Sequence, residues 1–191
     1  MKWPVLLLLP LTLAACKEEV ANRPEPVAMT REAIGYYCQM DLLEHPGPKA
    51  QVHLDGLENP IFFSQVRDAI AYQRMPEQSH AITAVYVNDM AAAASWDQPG
   101  AENWIDATAA HYVIGSDATG GMEAPELVPF LHAKDAGAFA AQHGGRVIRL
   151  TEVADADVLS AVPIVTLSEN DRAEEDDFEA RLKKLSHKRQ N

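Results

Sequence analysis

Two amphipathic helices of closely similar pattern recur in this chain, and this internal repeat restricts the fold more than any other feature of the sequence. The ten residues from Phe63 align with the ten from Phe130, at an offset of 67 positions. A phenylalanine, a basic residue, an Asp-Ala pair, a further alanine and a second aromatic residue coincide. Chance similarity between two amphipathic helices is the alternative, but strand-like runs flank both copies. The repeat therefore predicts two units of one architecture.

The first unit, residues 32–92, is predicted to contain two strands, a helix and a third strand. Alternation of apolar and polar residues favours strands, and apolar positions at helical spacing favour the helix. Ser64 is the expected N-cap of that helix, and Pro76 is expected to end it. The predicted elements are strands at 32–38 and 49–54, a helix at 63–74 and a strand at 81–87.

The second unit, residues 101–166, repeats this order after a segment at 90–100 that is rich in alanine and interrupted by proline and glycine. Gly144 and Gly145 are expected to end its helix. The predicted strands lie at 104–114, 126–131 and 146–150. The fold class that follows is α+β, with two tandem β-β-α-β units, each a small sheet covered by one helix.

The N-terminus indicates a lipoprotein. Residues 1–15 have a basic start and a short apolar run that cannot span a bilayer, as in a signal peptide. The run ends in Leu-Ala-Ala before Cys16, a pattern similar to the bacterial lipobox, in which the cysteine is acylated. A plain secretory peptide cut near Ala15 is the alternative. Acyl chains on Cys16 would hold the protein at a membrane facing the periplasm. Lys17 is not the aspartate typical of inner-membrane retention, which favours the outer membrane.

Both ends of the mature chain are predicted to lie outside the packed units. Residues 16–31 are polar with prolines and read as a lipidated, flexible tether, and residues 167–191 are densely charged and read as a disordered tail. The chain has 28 acidic and 16 basic side chains, with a net charge of −12. Such a surface repels phosphate backbones, so nucleic acid is excluded as a partner.

Cys38 is the cysteine that remains if Cys16 is acylated. Structural cysteines in an oxidising compartment are normally paired, so a leftover thiol indicates a metal ligand, a nucleophile, an intermolecular disulfide or an inert buried side chain. Met40 follows two positions later, and on a strand the two sulfur atoms would project from one face. Thiolate and thioether are soft donors of the kind that select Cu(I). Core packing of both side chains is the alternative.

A third sulfur donor is predicted at Met122, in a loop whose glycine pair suggests mobility. The histidines have no spacing typical of a zinc site. His111 and His132 belong to the same unit as Met122 and are the best candidates for an additional nitrogen ligand. Met29, Met75 and Met90 are interpreted as packing residues.

No motif for enzymatic catalysis is present. The sequence lacks C-x-x-C, G-x-S-x-G, a P-loop and G-x-G-x-x-G. The two alternatives to a metal carrier are a thiol-dependent lyase or transferase, and an anchored lipoprotein that binds haem or a partner and in which Cys38 is merely buried.

The lipobox Cys16, the run Tyr37-Cys38-Gln39-Met40 and the G-S-D-x-x-G-G-M run ending at Met122 together resemble the NosL family of copper-binding lipoproteins. The Pro129-Phe130 entry to the second helix adds to this resemblance. It covers residues 33–153 and implies a fold related to organomercurial lyase, with Cys38, Met40 and Met122 as copper ligands. It also implies delivery of Cu(I) to nitrous oxide reductase, with an ABC-type maturation transporter as a second partner and no catalysis.

Overall fold

The computed structural model of the chain describes residues 23–76, 78 and 80–162. The predictions for residues 1–15, for Cys16 and for residues 167–191 lie outside the described residues. The described ranges contain seven strands and three α-helices: β1 (Ala50–Leu54), β2 (Ile61–Phe63), α1 (Val66–Arg74), β3 (Ile82–Asn88), β4 (Trp104–Asp106), β5 (His111–Ser116), β6 (Val128–Phe130), α2 (Ala133–His143), β7 (Gly144–Arg149) and α3 (Asp155–Leu159).

The strands form two antiparallel sheets that repeat one topology. The first sheet has the order β2-β1-β3-β4 and the second the order β6-β5-β7. In each unit the central strand pairs with the two strands that flank the helix in sequence. Strands β2 and β6, and helices α1 and α2, begin at the predicted offset. The prediction of an α+β protein with two β-β-α-β units is therefore confirmed.

The run at 104–114, predicted as one strand of the second unit, is instead divided between the two sheets. Strand β4 pairs with β3 in the first sheet, with Val87 opposite Ile105. The chain then turns at Ala107–Ala110 before β5 pairs with β6 and β7. Asp106 closes this turn by accepting hydrogen bonds from the backbone N–H and the hydroxyl of Thr108, both at 2.7 Å. The apolar pattern continues across the turn because Ala107 and Ala110 are also buried.

One hydrophobic core joins the two units. It contains side chains from the first sheet and α1, such as Val52 and Ile70, together with Tyr112 and Ile148 from the second sheet. The buried Tyr112 hydroxyl donates a 2.7 Å hydrogen bond to the Ala107 carbonyl, so its polar atom is satisfied. None of the helices in the described ranges has the length and apolar character needed to cross a bilayer.

The predicted start of the first helix is wrong. Helix α1 begins at Val66, after Gln65, and not at Phe63 with Ser64 as its N-cap. The Glu126 carboxyl group of the second unit instead accepts hydrogen bonds from the backbone N–H groups of Val66 and Arg67, at 3.2 and 3.0 Å. A helix whose first N–H groups are satisfied from another unit needs no local capping side chain.

The predicted flexible tether is wrong for the part that the structure describes. The buried Gln51 side chain accepts a hydrogen bond from the Val27 backbone N–H at 2.8 Å and donates one to the Val27 carbonyl at 2.9 Å. The Met29 side chain is 5 % exposed and packs with Ala33 and Leu42. Because this segment satisfies its backbone against the sheet, its polar composition does not make it mobile.

Candidate metal centre

Cys38 and Met40 lie in a tight turn, not on the predicted strand. The turn is closed by the isolated bridge between Ile34 and Asp41 and by a 3.0 Å hydrogen bond from the Gly35 N–H to the Met40 carbonyl. Gln39, between the two sulfur residues, has a positive φ of 56°. A left-handed residue interrupts the alternation of a strand, so the prediction that both sulfur atoms share a strand face is wrong.

Aromatic packing holds this turn against the first unit. The Tyr36 ring lies 5.7 Å from Phe63 and 5.5 Å from Tyr72, and the Tyr37 ring meets Phe63 edge-on at 5.2 Å. Such pairs stabilise beyond their buried area, by roughly 0.5–1.5 kcal/mol each. The thiol of Cys38, the next residue, is thereby held at a defined place and remains partly accessible.

The His45 side chain lies beside this thiol. Its Nε2 atom lies 3.9 Å from the Cys38 Sγ, and its Nδ1 atom lies 2.8 Å from the Gly121 carbonyl oxygen. Because a carbonyl only accepts, Nδ1 carries the proton in the neutral ring, and the Nε2 lone pair is left on the side of the thiol. Metal-binding histidines are commonly oriented by such a second hydrogen bond.

The loop that carries Met122 packs closely against the first unit and is not the mobile loop predicted from its glycines. A Cβ added to Gly121 would lie 2.7 Å from the His45 Cβ and 3.0 Å from the Ser64 carbonyl oxygen. The backbone N–H of Met122 donates a 3.1 Å hydrogen bond to the Gln65 Oε1. Gly121 therefore permits close approach between the units, and these contacts hold the loop against the first unit.

Cys38 and Met122, from different units, line one cavity of about 400 Å³. This sulfur cavity is also bounded by α1 and by the segment after α3. Its lining residues are Tyr37, Cys38, Gln65, Arg67, Asp68, Ala71, Met75, Met122, Ala124, Val158, Leu159, Ser160 and Val162. Within the described ranges, no three His, Cys, Asp or Glu side chains are close enough together to hold a metal ion. The lining does include the sulfur atoms of Cys38 and Met122, which are soft donors.

Comparison with known proteins shows the family of this chain. The family model named NosL matches residues 26–158. The chain belongs to the NosL family. It is 56 % identical to the copper-binding lipoprotein NosL of Achromobacter cycloclastes over 176 residues, which cover 92 % of this chain and 90 % of that protein. It is 37 % identical to the copper-binding lipoprotein NosL of Stutzerimonas stutzeri over 150 residues, covering 78 % and 76 %.

A solved structure shares the fold. The crystal structure of the copper chaperone NosL from Shewanella denitrificans aligns with a TM-score of 0.63 and 32 % sequence identity. The alignment covers 70 % of this chain and 99 % of that chain. The tandem units described above are thus the architecture of an experimentally determined NosL structure.

The remaining residues that the NosL resemblance or the sequence suggested lie elsewhere. The Met40 side chain is 45 % exposed and is not part of the lining of the sulfur cavity. His111 lies 3.1 Å from the Arg149 guanidinium, and His132 is an exposed residue at the start of α2. No histidine of the described ranges lines the sulfur cavity, but the His45 Nε2 lies 3.9 Å from the Cys38 Sγ at its edge. His45 was overlooked because only its seven-residue distance from Cys38 connects them in the sequence.

Charged groups that are buried or partly buried adjoin the centre. Lys49 is almost fully buried and donates a 3.0 Å hydrogen bond to the Pro46 carbonyl, next to His45, and its burial lowers its pKa to about 8. Burial raises the pKa of Glu126 to about 8, against three backbone N–H donors that lower it. Burial also raises the pKa of Asp68, whose carboxylate accepts a 3.0 Å hydrogen bond from Gln65. These groups fix the two segments that carry His45 and Met122.

Proposed function

We propose that this protein binds Cu(I) as cargo in the sulfur cavity and passes it on, without catalysis of its own. The observation that carries the proposal is that Cys38 and Met122, from separate units, line one cavity, with the His45 Nε2 3.9 Å from the thiol. Thiolate, thioether and imidazole are donors suited to copper, and the two sulfur donors favour the reduced ion. The copper-binding names of the relatives support this assignment.

The proposed ligands are Cys38, Met40 and Met122, with His45 as the nitrogen donor that the geometry favours over His111 and His132. Cys38 supplies the negative charge, since a metal-bound thiol loses its proton. Met40 is exposed on the turn that carries the thiol, so it is the donor most accessible to an incoming protein. Its thioether would join the ion from outside the cavity.

The open cavity supports a carrier in preference to a closed structural site. A carrier must keep a coordination position accessible, so that a ligand of the recipient can bind before a ligand of the donor leaves. Cys38 is partly buried, whereas Met122 is 43 % exposed. The thiolate would therefore retain the ion while the exposed thioethers exchange.

The proposed recipient is nitrous oxide reductase during assembly of its copper-sulfur centre, with an ABC-type maturation transporter as the second partner. The proposed location is the periplasmic face of a membrane, with acylated Cys16 as the anchor. Lys17 favours the outer membrane over the inner. The lipoprotein names of two relatives support the anchor. The acidic surface would favour recipients with a basic docking face.

The binding step is tested by anaerobic titration of the full chain in detergent micelles with Cu(I), against a competing chelator. We expect about one equivalent to bind, with thiolate-to-copper charge-transfer absorption. Cys38→Ser should abolish tight binding, and Cys16→Ser should not. An unchanged affinity in the Cys38 variant, or no binding by the wild type, would contradict the proposal. Delivery is tested by deleting the gene in a bacterium that respires nitrous oxide and measuring copper in its purified reductase.

A further inference from the structure

We propose that Met75 is a further Cu(I) ligand in the sulfur cavity, where it binds the ion alongside Cys38 and Met122. This inference rests on the proposed Cu(I) binding and extends the donor set. From the sequence, Met75 is interpreted as a packing residue, and the resemblance to NosL assigns it no role. Four features of the structure give it one: its place at a helix end, its hydrogen bond to Tyr37, its exposure and the cavity that it lines.

The backbone of Met75 is fixed at the edge of the cavity. Met75 is the C-cap of α1, and its N–H donates to the carbonyls of Ala71 and Tyr72 at 3.1 and 3.3 Å. Its backbone is extended, with φ −73° and ψ 140°, and Pro76 prevents the helix from continuing. The side chain thus begins from a defined position on the wall formed by α1.

The sulfur atom of Met75 is oriented by the residue next to the thiol. The Tyr37 hydroxyl donates a hydrogen bond to the Met75 Sδ at 3.7 Å, and Tyr37 immediately precedes Cys38. The Tyr37 ring is itself held edge-on against Phe63. A thioether has a second lone pair, so one hydrogen bond leaves the sulfur able to bind a soft ion.

Exposure distinguishes Met75 from the methionines that fill the core. Its side chain is 38 % exposed, whereas Met29 is buried among apolar neighbours. Met90 lines a different cavity, together with Trp96 and Phe139. An apolar side chain on a solvent-exposed cavity wall contributes little to the stability of the fold, because hydrophobic stabilisation scales with the apolar area removed from water.

Met75 also supplies a thioether to the wall of the sulfur cavity, which Met40 does not line. Among the described residues, the methionines that line the sulfur cavity are Met75 and Met122. Together with Cys38 they bring three sulfur donors from three segments: a turn, a helix end and a loop. Three soft donors make a Cu(I) site that does not require Met40, which leaves Met40 available to exchange with a recipient.

The test is NMR of the full chain in micelles, labelled with ¹³C at the methionine methyl groups and titrated anaerobically with Cu(I). We expect the Met75 and Met122 methyl resonances to shift in parallel, while those of Met29 and Met90 stay unchanged. Met75→Leu, which preserves volume, identifies the Met75 resonance by its loss. The same variant should weaken Cu(I) binding roughly tenfold in chelator competition, whereas the control Met90→Leu should not.

Two outcomes separate this inference from the proposed function. A Met75 methyl group that does not respond while Met122 shifts, with unchanged affinity in Met75→Leu, would overturn the role of Met75 and leave Cu(I) binding intact. A wild-type chain that binds no Cu(I) would overturn both. The methyl shifts are read from the wild-type protein, so the test does not depend on the folding of a variant.

Discussion

Gly35 and Cys38 are in direct contact within one turn, and a Cβ atom added to Gly35 would lie 2.4 Å from the Cys38 Sγ. The Gly35 backbone is held in place because its N–H donates a hydrogen bond to the Met40 carbonyl. The Cys38 side chain must therefore rotate to avoid this overlap. Rotation of one side chain is tolerated by the fold. We therefore expect Gly35→Ala to leave the unfolding temperature nearly unchanged and to weaken Cu(I) binding, as measured by chelator competition.

The control for this substitution is Gly137→Ala. A Cβ at Gly137, in α2, would meet nothing within 4 Å, and alanine is the better helix former by about 1 kcal/mol. This variant should be slightly more stable than the wild type and should bind Cu(I) normally. Equal copper affinity in both alanine variants would show that the position of the thiol at Gly35 does not matter for binding.

Gly121→Ala should damage both the fold and the site. Its Cβ would overlap the His45 Cβ and the Ser64 carbonyl oxygen, at 2.7 and 3.0 Å, and neither atom lies at the end of a flexible chain. The loop must therefore withdraw and take Met122 with it. We expect a lower melting temperature together with weaker Cu(I) binding, measured on the same sample by circular dichroism and chelator competition. A variant that binds as tightly as the wild type would exclude the loop from the site.

The sequence predicted the repeated architecture well because its evidence is local. Apolar spacing identified the helices, and the strong strand at 81–87 corresponds to β3, Ile82–Asn88. Gly144 ends α2 with a φ of 75°, as expected of a C-cap glycine. The sequence did not predict β2 or the short helix α3, which adds a wall to the cavity. It also predicted a strand at 32–38 where the chain forms a turn, and it assigned β4 to the second sheet although β4 pairs with β3 in the first.

The site was less predictable because it depends on contacts between distant segments. The aromatic residues Tyr36 and Tyr37 favour a strand by propensity, yet their rings pack in a turn whose left-handed Gln39 has no local marker. The glycine pair before Met122 suggested a mobile loop from the sequence. In the structure, Gly121 is needed because His45 of the other unit packs against it too closely for a side chain. The sequence thus predicted Cys38 and Met122 as donors, but it did not predict the geometry that brings them to one cavity.

Met29→Ala is expected to destabilise the protein even though it lies in a segment with the composition of a linker. The side chain is buried with Ala33 and Leu42, and loss of a buried methionine costs roughly 2–5 kcal/mol. Urea unfolding of the copper-free protein measures this loss. Met40→Ala is the matched control, since an exposed side chain should change the free energy of unfolding by no more than about 0.5 kcal/mol. Equal stability of the two variants would contradict the packing of this segment.

Glu126 should make the protein less stable as the pH rises. Burial raises the pKa of its carboxyl from 4.5 to about 8, so the folded state holds a proton that the unfolded state releases between these values. The contribution to stability is complete below about pH 4.5 and is lost as the pH rises through about 8. Lys49, whose pKa burial lowers to about 8 from 10.5, is protonated in both states over most of this window.

Glu126→Gln isolates this dependence, because glutamine resembles the protonated acid in shape and cannot titrate. Urea unfolding between about pH 5 and pH 8 should show the free energy of unfolding falling in the wild type and falling less in the variant. The control is Glu123→Gln, an exposed residue of the same loop that should retain the wild-type slope. If the free energy of unfolding of Glu126→Gln depends on pH as in the wild type, Glu126 is ionised in the folded protein while it accepts hydrogen bonds from the Val66 and Arg67 N–H groups. The three backbone donors would then outweigh burial at the junction of the two units.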